Sequence, residues 1–165
     1  VNTREFLKIL CKRSLRQSLW IHPWLSGGCR GCHMEILDAM TPYYDAARLG
    51  IRLVSSPRHA DAFLVSGALT RGTASGLLEV ASSLPGARKV LAVGACACGG
   101  GLCFDRKESA GPLDELLPVD FYVPGCPPRP EAILHALAVS LGLLPVKVSR
   151  ESLIINRNAE EAPAR

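Results

Sequence analysis

Lys89-Val-Leu-Ala-Val-Gly-Ala-Cys96 is a short apolar run that ends in glycine and then cysteine. The run is continuous rather than alternating, which is the pattern of a strand buried on both faces of a parallel sheet. Two other stretches repeat it: VDFYVPGC, ending at Cys126, and HPWLSGGCRGC, which holds Cys29 and Cys32. In a parallel α/β sheet the carboxyl ends of the strands lie along one edge, where ligands gather. Three distant parts of the chain therefore deliver four cysteines to one place. Four converging thiolates are what an iron–sulfur cluster or a tetrahedral zinc requires.

Working outward, the rest of the chain alternates strands with helices. Strands are expected at 18–22, 51–54, 62–65, 89–93 and 119–123. Helices are expected at 3–17, 32–40, 73–83 and 130–142, with a second helical stretch over 42–49 after Pro42 and a helical turn over 112–117. Pro130 and Gly142 suit the first turn and the end of the last helix. Residues 25–31 and the stretch ACACGGGLCFD after Val93 read as glycine-rich loops. The fold class is α/β, a three-layer, doubly wound parallel sheet. It divides into a basic amphipathic helix (1–17), an α/β domain (18–145) and a C-terminal extension (146–165), polar and disordered after about residue 156.

The chain has 165 residues, enough for one domain, and a net charge of +4. That charge is local: residues 1–16 hold five of the 19 basic side chains and one of the 15 acidic ones, so the remainder is neutral. A basic helix suits anionic lipid headgroups or an acidic partner, or is simply a solvated face. No reader motif or basic–aromatic pattern points to nucleic acid. The sequence shows no signal peptide and no apolar run long enough to span a membrane. Seven cysteines, an odd number, argue for a reducing compartment and against a pure disulfide framework.

Cys29 and Cys32 form a C-x-x-C, which fits a thioredoxin-like redox pair or half of a metal site. The redox pair leaves Cys96 and Cys126 without a role. Zinc ribbons use two such knuckles and this chain has one. The compact cysteine run of bacterial ferredoxins is absent. Gly27, Gly28, Gly31, Gly94 and Gly99–Gly101 would let the backbone approach a bulky anionic group, and Pro124, Pro127 and Pro128 would stiffen the loop around Cys126.

GGCRGCHMEI (27–36), GACACGGG (94–101) and LPVDFYVPGCPPRPEAIL (117–134) together resemble the small electron-transfer subunit shared by NiFe hydrogenases and respiratory complex I. The resemblance covers roughly 18–145. It implies a flavodoxin-like α/β domain with one 4Fe–4S cluster, held by Cys29, Cys32, Cys96 and Cys126, with Cys98 the alternative to Cys96. The complex I subunit has adjacent cysteines at the first site. The two-residue gap here is similar to the membrane-bound, energy-converting hydrogenases and formate hydrogenlyases, as is SPRHADAFLVSGALTR (56–71). The longer, exported small subunits of periplasmic uptake hydrogenases fit less well.

The resemblance further implies a peripheral subunit on the cytoplasmic face of the membrane. Its partners would be a NiFe-bearing or quinone-site large subunit, a ferredoxin-like iron–sulfur subunit and membrane subunits. It would pass electrons for proton reduction or hydrogen oxidation, with no turnover from the isolated chain. A complex I-like quinone-reducing subunit and, from another class, a structural zinc module remain as alternatives. Glu35 matches the acid beside the cluster that takes part in proton transfer; a carboxylate favoured by a helix N-terminus is the other reading. His33 reads as a surface or interface residue, or as one that tunes the cluster or carries protons. Arg129 reads as a cluster-stabilising cation or a surface ion pair. His22, His59 and His135 have no ligand grouping, and Asp61 and Asp120 read as caps at strand starts. Cys103 reads as a spare thiol and Cys11 as packing in the N-terminal helix.

Overall fold

The computed structural model describes residues 18–86 and 88–142. The expected helix at 3–17, Cys11 and the extension at 146–165 lie outside the described residues.

Five strands form one all-parallel sheet: β1 (Leu19–Leu25), β2 (Ile51–Leu53), β3 (Ala62–Ser66), β4 (Lys89–Val93) and β5 (Phe121–Val123), in the order β2-β1-β3-β4-β5. This is the doubly wound order of flavodoxin-like folds, whose switch point lies between β1 and β3. Helices α1 (Gly31–Asp38), α2 (Arg71–Ser82), α3 (Ala95–Gly99) and α4 (Pro130–Ser140) cover the sheet.

The continuous apolar runs explain the layering. Leu64, Leu91 and Val93 point to one face and pack with Ile36 of α1 and Ile133 and Leu137 of α4. Their neighbours Phe63, Val65, Val90 and Ala92 point to the other face and pack with Leu77 and Ala81 of α2 and Ala97 of α3. All five residues of β3 are buried, so each large side chain there contributes about 1.5–3 kcal/mol of burial. No helix among the described residues is long and apolar enough to cross a membrane.

The strand at 18–22 runs on to Leu25, through Pro23. Register shows why the proline is tolerated. The Leu19 N–H donates to Gly50 O on the β2 side, and the Trp20 N–H turns the other way, to Asp61. Odd positions therefore face β2, which ends at Leu53 opposite Ile21. Pro23 lacks an N–H at the end of that pairing, where Val54 O takes its hydrogen bond from the His22 ring instead.

Two other expectations are corrected. The stretch 42–49 forms only a 3₁₀ turn, Ala46–Leu49, because Asp45 takes a left-handed conformation (φ 49°) and its carboxylate accepts from Arg48 N. The glycine-rich loop after β4 begins as the short helix α3: Cys98 N bonds to Gly94 O and Gly100 N to Cys96 O before Gly100 ends the helix. A 3₁₀ turn, Gly101–Cys103, follows.

Asp61 and Asp120 act at the opposite edge from the cysteines. The Asp61 carboxylate accepts the Trp20 N–H at 2.9 Å, while its carbonyl accepts from Lys89 N at 2.8 Å. It thus ties β1 to β4 across the start of β3. Asp120 accepts from Val90 N at 2.9 Å and pairs with Lys89 Nζ at 3.3 Å. Asp61→Ala should cost about 1 kcal/mol of stability, read by chemical denaturation, because the exposed Trp20 N–H can turn to water.

Candidate functional site

Four cysteines from three strand ends line one cavity. Cys29 and Cys32 follow β1, Cys96 lies in α3 after β4, and Cys126 follows β5; Arg30, His33, Gly67 and Pro127 complete much of the wall. Cys29 and Cys126 are exposed, Cys32 and Cys96 half-buried, and all four are free thiols.

The first loop turns into α1 at Arg30, which adopts a left-handed conformation (φ 66°) and is exposed. That turn brings Cys32 into the first turn of the helix while Cys29 stays outside it. Two glycines make the convergence possible. Gly67, at the end of β3 with φ 90°, leaves room for the Gly27 backbone: a Cβ there would run into Gly27 O. Gly94, at the end of β4 with φ 91°, does the same for Cys32, whose Sγ occupies the space a Cβ would need. Sequence reasoning singled out Gly94 but missed Gly67, although Val65-Ser66-Gly67 repeats the strand-then-glycine pattern of the cysteine strands.

Cys98 stands apart. Adjacent residues on an α-helix are about 100° apart, so positions two apart face nearly opposite sides. Cys96 faces the cavity, whereas the Cys98 Sγ donates to Ala92 O at 3.4 Å within the packing of the other face. Burial pushes the Cys98 thiol up to about 11, so it stays neutral. Burial also raises Cys32, and Cys96, Cys29 and Cys126 add to the shift in that order. Cys96 is raised by burial, then by Cys126, Cys103 and Cys29, against a smaller lowering by the Leu102 backbone.

Four thiols brought together from three strand ends are a donor set that fits a 4Fe–4S cluster and equally a tetrahedral zinc. A single zinc would draw four sulfurs to about 2.3 Å from one point. Among the described residues no three His, Cys, Asp or Glu side chains are grouped so as to hold one metal ion. The four cysteines line one space, with glycine backbone on its flanks.

Glu35 does not line the cavity. It is half-buried in α1, three residues after Cys32 and so on a neighbouring face. His22 Nδ1 pairs with Val54 O at 2.9 Å and its ring stacks on Phe63, while His59 packs edge-on against Trp20. Both are structural. Arg129 is exposed just before α4, with no ion pair among the described residues.

The family model described as "NADH ubiquinone oxidoreductase, 20 Kd subunit" matches residues 29–139, which begin at Cys29 and take in every cavity cysteine. The chain belongs to that family. It is 44% identical over 142 residues to the probable membrane-bound hydrogenase subunit mbhJ of Pyrococcus furiosus, covering 86% of this chain and 84% of that protein. It is 40% identical to formate hydrogenlyase subunit 7 of Escherichia coli over 86% of this chain, and spans 56% of that longer protein. These relatives are subunits of oxidoreductase complexes.

Among solved structures, a chain of the membrane-bound sulfane sulfur reductase, an archaeal respiratory membrane complex, is 34% identical with a TM-score of 0.67, over 84% of this chain and 75% of that one. A chain of an NAD⁺-reducing [NiFe]-hydrogenase aligns with a TM-score of 0.64 at 24% identity, over 84% of this chain and 99% of that one, which supports the fold alone.

Proposed function

We propose that this chain, as an α/β domain over 18–145 with terminal extensions, is a one-cluster electron-transfer subunit of a membrane-associated hydrogenase complex. The observation that carries the reading is the single cavity lined by Cys29, Cys32, Cys96 and Cys126, in a chain similar to hydrogenase and formate hydrogenlyase subunits. The four thiolates would hold one 4Fe–4S cluster, which supplies one-electron chemistry when bound. Gly67 and Gly94 keep the loops close enough for the four sulfurs to face one space. Glu35, one turn along α1, would carry a proton where the large subunit docks.

The partners are a NiFe-bearing large subunit, a ferredoxin-like iron–sulfur subunit and membrane subunits, on the cytoplasmic face of the membrane. Iron and acid-labile sulfide analysis of the anaerobically purified chain, with EPR after reduction, tests the cluster. Zinc without sulfide would overturn it in favour of a structural module. Glu35→Gln in the assembled complex should lower hydrogen turnover by about 10²-fold with iron content unchanged; unaltered turnover would leave Glu35 a helix-terminus carboxylate.

The family's own description gives a second reading, electron delivery to quinone. The large subunit decides it: paired C-x-x-C motifs there mean NiFe chemistry, and their loss means quinone. Hydrogen evolution by the complex separates the hydrogenase reading from the sulfane sulfur reduction of the structural relative.

A further inference from the structure

Three buried side-chain nitrogens among the described residues have no hydrogen-bond partner: Trp24 Nε1, His33 Nδ1 and Arg88 Nε. Trp24 lies against Gly76 of α2, and Arg88 precedes β4 at the far edge of the sheet. Only His33 lines the cysteine cavity. A polar atom stripped of water and given nothing in return is uncommon in a folded chain. At the wall of a binding cavity it marks where an acceptor on the ligand belongs. His33 follows Cys32 directly in the first turn of α1, and both residues line the cavity.

Thiolate and sulfide sulfurs accept hydrogen bonds and cannot donate them. We infer that His33 donates its Nδ1–H to the sulfur-rich group held by the four cysteines and so raises its reduction potential. Adding an electron increases negative charge on the sulfurs, and a buried donor stabilises that reduced form more than the oxidised one. His33 is thus a positioning and tuning residue rather than a ligand. The inference rests on the cluster reading above.

The test is an EPR-monitored redox titration of the full chain, purified anaerobically, with iron and sulfide measured on each sample. His33→Leu should keep iron and sulfide but shift the reduced-to-oxidised equilibrium about tenfold toward oxidised, 59 mV for one electron. His33→Gln, which retains an N–H, should recover part of that shift. Hyperfine spectroscopy of the reduced unsubstituted protein, labelled with ¹⁵N-histidine, should show a nitrogen coupling that His33→Gln removes. This keeps the question decidable even where His33→Leu fails to load. A full cluster with an unmoved potential, or no histidine coupling, overturns the role of His33 alone. No iron and no sulfide in the unsubstituted chain overturns the cluster itself.

Discussion

Cys96→Ala is expected to strip the chain of iron and sulfide, while Cys98→Ala leaves both in place. The two thiols are two residues apart in α3, yet only Cys96 lines the cavity. Its thiol is raised by burial first, then by Cys126, Cys103 and Cys29. Cys98 faces the core, neutral and bonded to Ala92 O. Losing a ligand should weaken cluster retention by more than the 10–100-fold typical of a lost supporting contact. Cys29→Ala, Cys32→Ala and Cys126→Ala should match Cys96→Ala. Cys98→Ala should instead cost about 1 kcal/mol of stability, the loss of a small buried group. Iron and sulfide assays with a denaturation curve on each variant read both quantities. Retention by Cys96→Ala together with loss by Cys98→Ala would reverse the assignment.

Gly94→Ala should damage stability and site together. The backbone there has φ 91°, which L-residues rarely adopt, and the new methyl would collide with Cys32 Sγ. A non-glycine residue in such a conformation costs about 1–3 kcal/mol, and crowding in a packed region adds a similar amount. The relief available is to push Cys32 out of the cavity, so the loaded fraction should fall along with the melting temperature. Gly99→Ala is the control. Nothing lies within 4 Å of a Cβ at that position. It sits at the end of α3, where alanine is the better helix former, so its effect should be near zero or slightly stabilising. Equal losses in the two variants would mean that glycine content, not the contact with Cys32, sets the site.

The parts of the fold read correctly from sequence are those where one signal acts alone. Lys89–Val93 is a strand because it is short, apolar and closed by glycine, and its bounds come out as expected. The four cavity cysteines were legible because parallel strands deliver whatever follows them to one edge. The misreadings come where two signals compete. The first strand was expected to end at residue 22, but β1 runs on through Pro23 to Leu25 in its pairing with β3. Gly99–Gly101 argued for a loop, but Ala95–Cys98 are small enough to take a helical turn first. That error also hid the difference between Cys96 and Cys98, since residues two apart in a loop have no fixed relation and in a helix they do. His33 was read from sequence as surface, interface or a tuning residue, and a burial state could not be assigned before α1 was placed against the cavity.

The single turn of α3 bears on how this chain can vary in length. Extra residues at the exposed turn 105–107 would lengthen a surface connection, and each doubling of such a loop costs only about 0.6 kcal/mol. One extra residue between Gly94 and Cys96 would rotate everything after it by about 100° and swing Cys96 away from its three companions. Insertions should therefore be tolerated in that exposed turn and forbidden between Gly94 and Cys96.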